Sequence, residues 1–211
     1  MASDALLPLF PLHTVLFPGG ALPLHIFEPR YRLMIGRCLD AGAELGVVLI
    51  HEGREVGAPA TPHTVGTRAR IVQHERLDDG RMNLLCVGGE RFRVLELRHD
   101  EPYLTARVDP LVEAAEETPP ELAQRVRDAV DRFAAGRPSL RLPGDPTSLS
   151  FALAGGIPLP LDQAQLLLEL TSTTARLRAL VEMIERESRL RERVGHTRPA
   201  APGHIPPPSP N

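Results

Sequence analysis

The side chains able to do chemistry are few in this chain, and none falls into a spacing that catalysis requires. Seven serines occur in 211 residues, none of them in a G-x-S-x-G elbow. Ser148, Ser150 and Ser172 fall where helix caps belong, because a hydroxyl there satisfies a free N–H of the first turn. All 24 basic residues are arginine. The absence of lysine removes a phosphate-cradling Walker lysine, a Schiff-base lysine and a Ser–Lys dyad together. Cys38 and Cys86 sit far apart in apolar runs, outside C-x-x-C spacing, so two buried reduced thiols fit better than a disulfide. Eight histidines occur, but none in H-x-x-x-H or H-E-x-x-H spacing. His13, His51, His63 and His74 therefore read as surface or hydrogen-bonded structural groups, and neither a metal nor a cofactor is expected.

Binding is better served than catalysis. Phe17-Pro18 in a Gly-rich turn can project a hydrophobic ring, and Arg30 and Tyr31 are residue types favoured at interface hot spots. Phe17, Pro18, Leu22, Arg30 and Tyr31 form the candidate surface for a peptide or protein partner. Hydrophobic anchors with main-chain hydrogen bonds along a sheet edge would supply the mechanism. Each has a plainer reading. Phe17 can tuck against the helical half, and Glu28 can meet a helix N-terminus and pair with Arg30. In Arg91-Phe92-Arg93 the ring belongs to the core and the arginines pair with acids. Asp78-Asp79 ahead of Gly80 serves a turn better than a metal. The arginines at 176, 178, 186, 189, 191 and 193 alternate with Glu182, Glu185, Glu187 and Glu192, as on a solvated, salt-bridged face.

The formal net charge of −3 gives no electrostatic case for nucleic acid or an anionic membrane. Without a basic leader or a long apolar run, the expectation is a soluble cytoplasmic protein with no membrane span. Aromatics are only 4% of residues, so the core must be aliphatic.

The elements that position these groups divide the chain. Residues 6–12 and 21–27 read as strands around a Pro18-Gly19-Gly20 turn. Pro29 opens a helix whose Tyr31, Met34, Ile35, Cys38 and Leu39 share one face. The continuous apolar run 45–50 reads as a covered strand. Residues 52–62 read as a loop, 66–76 as a strand, and Asp79-Gly80 as the turn into a strand at 82–87. Gly88-Gly89 reads as a second turn, followed by strands near 92–97 and 103–111. After residue 113 the pattern becomes helical: 120–135 behind a Thr118/Glu121 capping box, then 148–154, 161–170, and 172 to about 194. Residues 195–211 hold six prolines and little to bury, which predicts a disordered tail. Strands first and helices second point to α+β with two packed parts.

The order of several short motifs resembles the N-terminal, substrate-binding domain of Lon proteases in its free-standing form. The motifs are the opening 6–33, Gly66-Thr67, Asp79-Gly80-Arg81, Gly88-Gly89-Glu90-Arg91-Phe92-Arg93, Pro102-Tyr103-Leu104, Leu149-Ser150-Phe151, Gln165 to Glu169 and Arg176-Leu177. The resemblance, which leaves out the tail (195–211), implies a PUA-like β pseudo-barrel with an inserted helix (1–112) and a C-terminal helical bundle (113–194). It also implies a non-catalytic recognition module that binds unfolded or exposed hydrophobic peptide segments, or a protein partner, in proteolysis or quality control. The alternative it leaves is an RNA-binding PUA-like protein. The ATPase and Ser–Lys peptidase parts of Lon have no counterpart in these residues.

Overall fold

The short apolar runs become strands and the 3.6-periodic stretches become helices. The computed structural model describes residues 6–54, 60–133 and 142–195, with side chains of the last helix to residue 189. The tail after residue 195, the middle of the 52–62 loop and much of the 136–147 connector lie outside the described residues. The strands are β1 (Leu7–Leu12), β2 (Ala21–Ile26), β3 (Leu45–Glu52), β4 (Thr61–Arg76), β5 (Met82–Arg98) and β6 (Thr105–Pro110). The helices are α1 (Pro29–Ala41) between β2 and β3, then α2 (Pro120–Phe133), α3 (Pro146–Gly156), α4 (Leu161–Glu169) and α5 (Thr173–Gly195). The class is mixed α+β.

The strands pair in the order β2-β5-β4-β3-β1-β6, and β5 also pairs with β6. The pairings of β5, β4, β3, β1 and β6 therefore return to their start. β1 is parallel to β3, while the other neighbours are antiparallel. A parallel pair needs a long crossover, which β2 and α1 provide. β2 lies outside the circuit, paired with the first half of β5.

Two strand boundaries differ from the sequence reading. β4 starts at Thr61, five residues before the expected 66, because Thr61 and Pro62 still pair with β3. Gly88-Gly89 is no turn. β5 runs unbroken through it, with Gly88 opposite Ala69 and an extra residue in β5 between Gly88 and Arg91, where β4 runs from Ala69 to Thr67. Such bulges bend long strands, here allowing β5 to serve β2 at one end and β6 at the other.

Three apolar clusters hold the fold. One under α1 joins Tyr31, Met34, Ile35 and Cys38 to Phe10, Ile26, Val47 and Cys86. A second, with Leu7, Leu9, Val48, Phe92 and Ala106, lies among the strands of the circuit. The third joins the helices to Phe17 and Val65. α1 begins on Pro29 and ends where the Gly42 N–H meets the carbonyls of Cys38 and Leu39. Ser172 caps α5 as expected, its Oγ accepting from the Ala175 N–H at 2.9 Å. At α3 the cap is Asp145 rather than Ser148: its carboxylate accepts the Ser148 N–H at 2.8 Å.

Candidate functional site

The loop between β1 and β2 is held against β5 by its main chain. Gly19 N–H donates to the Gly88 carbonyl at 2.8 Å, Gly88 N–H donates to Gly20 at 2.9 Å, and Thr67 Oγ1 donates to the Leu16 carbonyl at 2.5 Å. A Cβ at residue 88 would overlap the Phe17 carbonyl oxygen. The Gly88 position thus answers a close backbone approach from 71 residues away in sequence.

That approach decides where Phe17 goes. Its ring is 3% exposed, 6.5 Å from the Phe151 ring, and packs with the helical cluster. Phe17 therefore plugs the joint between strands and helices instead of projecting from it: burial against α3 removes more ring surface from water than the loop tip could. Tyr31 is likewise internal, 5% exposed, its ring 4.3 Å from that of Phe10. Arg30 pairs with Glu28 at 3.0 Å and lies over the Tyr31 ring at 4.5 Å. Leu22 is half-buried against the cluster under α1. Of the five candidates, Phe17 and Pro18 border an open apolar space, Pro18 on both of its sides.

Two pockets meet at Pro18 and Phe151. One, of about 520 Å³, is walled by Pro18, Arg91, Pro110, Leu111 and Val112. The other, of about 490 Å³, lies between the β1–β2 loop and α3, walled by Val15, Phe17, Ala152 and Gly155. Together they form a groove between the strand-rich and helical parts. Val112, on its rim, is 73% exposed.

Beneath the Phe151 ring lie two buried arginines. Arg176 is fully buried with its guanidinium carbon 3.9 Å from the ring centroid, and that of Arg91 lies at 5.1 Å. Glu113 accepts from both: from Arg176 Nη2 at 2.8 Å, and from Arg91 in a shorter contact. Thr173 Oγ1 adds a bond to the same carboxylate at 2.8 Å. Two cations to one anion leave a charge excess. The Leu168 and Leu170 carbonyls at the end of α4 absorb it, accepting from Arg91 and, at Leu170, also from Arg176 at 2.6 Å. Burial pulls the Arg91 pKa down to about 10 and lowers that of Arg176, yet both stay charged at neutral pH. The expectation that Arg176 lies on a solvated face is overturned. It stands four residues before Leu180 and eight before Ile184, on the stripe α5 buries. That spacing was the available signal.

Elsewhere the chemistry-bearing residues are occupied with structure. Ser150 Oγ donates to the Thr147 carbonyl and accepts from Arg176 Nε at 2.8 Å, and Ser172 Oγ donates to Glu116. Cys38 and Cys86 are free thiols in the core, and burial pushes the Cys86 pKa to about 11. His63 sits 5.0 Å from His51 and 3.9 Å from Glu169, ring centroid and Nδ1 respectively. Among the described residues no group of three or more His, Cys, Asp or Glu is placed to hold a metal ion. No described helix is long and apolar enough to cross a membrane.

A strand circuit and a helical part meet at an apolar groove between them. Comparison with known proteins supplies the family. Residues 6–186 match the ATP-dependent protease La (LON) substrate-binding domain, and the chain belongs to that family. It is 30% identical over 196 residues to a Lon protease of Anaeromyxobacter dehalogenans, covering 87% of this chain and 23% of that protein. It is also 30% identical over 194 residues to Lon protease 2 of Myxococcus xanthus, covering 86% and 24%. The chain thus spans about a quarter of the length of these relatives. Among solved structures it is similar to a Lon N-terminal domain protein from Xanthomonas campestris: 29% identity, TM-score 0.67, covering 84% of this chain and 98% of that one. The N-terminal domain of a Mycobacterium avium complex Lon protease shares the fold, with 20% identity and TM-score 0.63 over 86% and 98%.

Proposed function

We propose that this chain, without catalysing a reaction itself, binds exposed hydrophobic segments of unfolded protein substrates in the groove at Pro18 and Phe151. The observation that carries the reading is Val112. Its branched aliphatic side chain, 73% open to water, lines a pocket of about 520 Å³ together with Pro18, Pro110, Leu111 and Phe151, so the apolar surface is shared among neighbours rather than single. Family membership supports protein substrates as the ligand class. The groove has an aromatic floor made rigid by two guanidiniums, so little side-chain entropy is lost when a chain docks on it. It supports the reading better than the free edge of β2, where Pro23 leaves the edge short of a donor. A link to proteolysis or quality control follows if the bound segments are those exposed by misfolding.

The test is fluorescence anisotropy with a permanently unfolded, labelled polypeptide. Micromolar binding that falls about tenfold in Val112→Glu, with an unchanged melting curve, is the expected result. Equal binding by the variant overturns the groove. Structured RNA in a parallel cuvette examines the RNA alternative, for which steeply salt-dependent binding is the signature.

A further inference from the structure

A third pocket, between α1 and the turn joining β4 to β5, is built differently. It has a volume of about 340 Å³ and is lined by Arg32, Arg37 and Arg76, by Asp40, and by Leu33, Leu77 and Met82 among its apolar residues. Arg32 is held in an unusual way. Its guanidinium lies directly over Gly80 in the turn between β4 and β5, in the space a Cβ would occupy. Asp79, whose carboxylate it stabilises through space, spends its own hydrogen bonds on Arg81, at 3.0 Å to the backbone N–H and 2.6 Å to Nε. Arg37 is fixed by Glu101 at 2.8 Å and by the Tyr103 hydroxyl at 2.9 Å. Among the described residues neither Arg32 nor Arg76 forms an ion pair. Of the three lining cations, Arg37 is neutralised by Glu101 and Arg32 faces Asp79 only through space, and beside them Leu33 is 41% exposed.

We propose that this pocket binds the free C-terminal carboxylate of a polypeptide whose last side chain is apolar. The inference builds on the reading of the chain as a binder of protein substrates. Arg32 and Arg76, which spend no direct ion pair on a side-chain carboxylate, leave N–H donors for the two oxygens of a main-chain carboxylate. Leu33, Leu77 and Met82 suit the terminal side chain. Asp40 can accept the last peptide N–H, and its charge works against a phosphate dianion in the same place. The volume fits the end of a chain rather than a folded surface.

The experiment compares a fluorescein-labelled peptide ending in Ala-Leu with its C-terminal amide, by anisotropy, against the whole protein. The free acid is expected to bind about tenfold tighter than the amide, as loss of charge-assisted hydrogen bonds implies. In Arg32→Gln and in Arg76→Gln that ratio falls to about one while the amide binds as before. Arg76 is exposed, so its variant keeps the fold if Arg32→Gln does not. Equal binding of acid and amide to the unsubstituted protein, or a preference surviving both substitutions, overturns the proposal. So does displacement of the peptide by inorganic phosphate at matched ionic strength. Val112→Glu separates the two sites: it is expected to leave the acid-to-amide ratio intact. If it also leaves binding of the unfolded polypeptide intact, the groove fails and the carboxylate site stands.

Discussion

Arg176 lies over Phe151 with its guanidinium carbon 3.9 Å from the ring centroid and no exposure to solvent. The pair joins α5 to α3, and through Glu113 it reaches Arg91 on β5. Removing the shared acid strands two buried cations. Glu113→Gln should therefore destabilise the protein by about 2–3 kcal/mol, allowing for the partial exposure of Glu113. Glu185→Gln, which breaks the exposed pair with Arg125, should cost less than about 1 kcal/mol. Urea unfolding of both variants measures the contrast, and equal effects would count against the buried network as the joint.

Two glycines should respond oppositely to alanine. Gly88→Ala pushes a methyl into the Phe17 carbonyl and should cost about 1–3 kcal/mol while loosening the loop that carries Pro18. Gly36, inside α1, has nothing within 4 Å of its missing Cβ. Gly36→Ala should stabilise by up to about 1 kcal/mol. Thermal melts give the signs directly, and a stabilised Gly88→Ala would refute the close approach.

Cys86 bears on the alkaline limb of stability. Burial raises its folded pKa to about 11, above the unfolded thiol value of about 8.5. Between those values the unfolded chain has released a proton that the folded one retains, so stability falls with rising pH by up to about 1.4 kcal/mol per unit. Below about 8.5 the contribution is fully present. The slope should shrink in Cys86→Ala, measured by urea unfolding from pH 8 to 10.5.

Asp145 bears on the acid limb. The Ser148 N–H it accepts holds its carboxyl below the usual carboxylate range. Its contribution is present above the unfolded pKa and lost as pH falls through the folded one. Asp145→Ala should cost about 1 kcal/mol at neutral pH and progressively less in acid. A cost independent of pH would rule out the carboxylate as the cap.

Local signals were read correctly where local forces decide. Pro29 and the spacing of Tyr31, Met34, Ile35 and Cys38 place α1, Ser172 caps α5, and Asp79-Gly80 turns β4 into β5. Each depends on residues within one or two turns, so the chain alone carries the information. The reading failed at Gly88-Gly89 and at Arg176, where a turn residue and a charged residue have uses set by distant partners. The candidate site divides the same way. Pro18 was legible as part of an apolar turn, whereas Val112 and Phe151 gave no sign of sharing a groove with it.

Composition and periodicity by themselves settled an α+β chain with an aliphatic core, two buried thiols and no lysine chemistry, because each is a property of residue type or near-neighbour spacing. Only the folded arrangement decided that Phe17 turns inward, that β5 continues through two glycines, and that three arginines gather unevenly around one small pocket. Those outcomes depend on which backbone segments pass within van der Waals reach of one another, and no stretch of sequence encodes that alone.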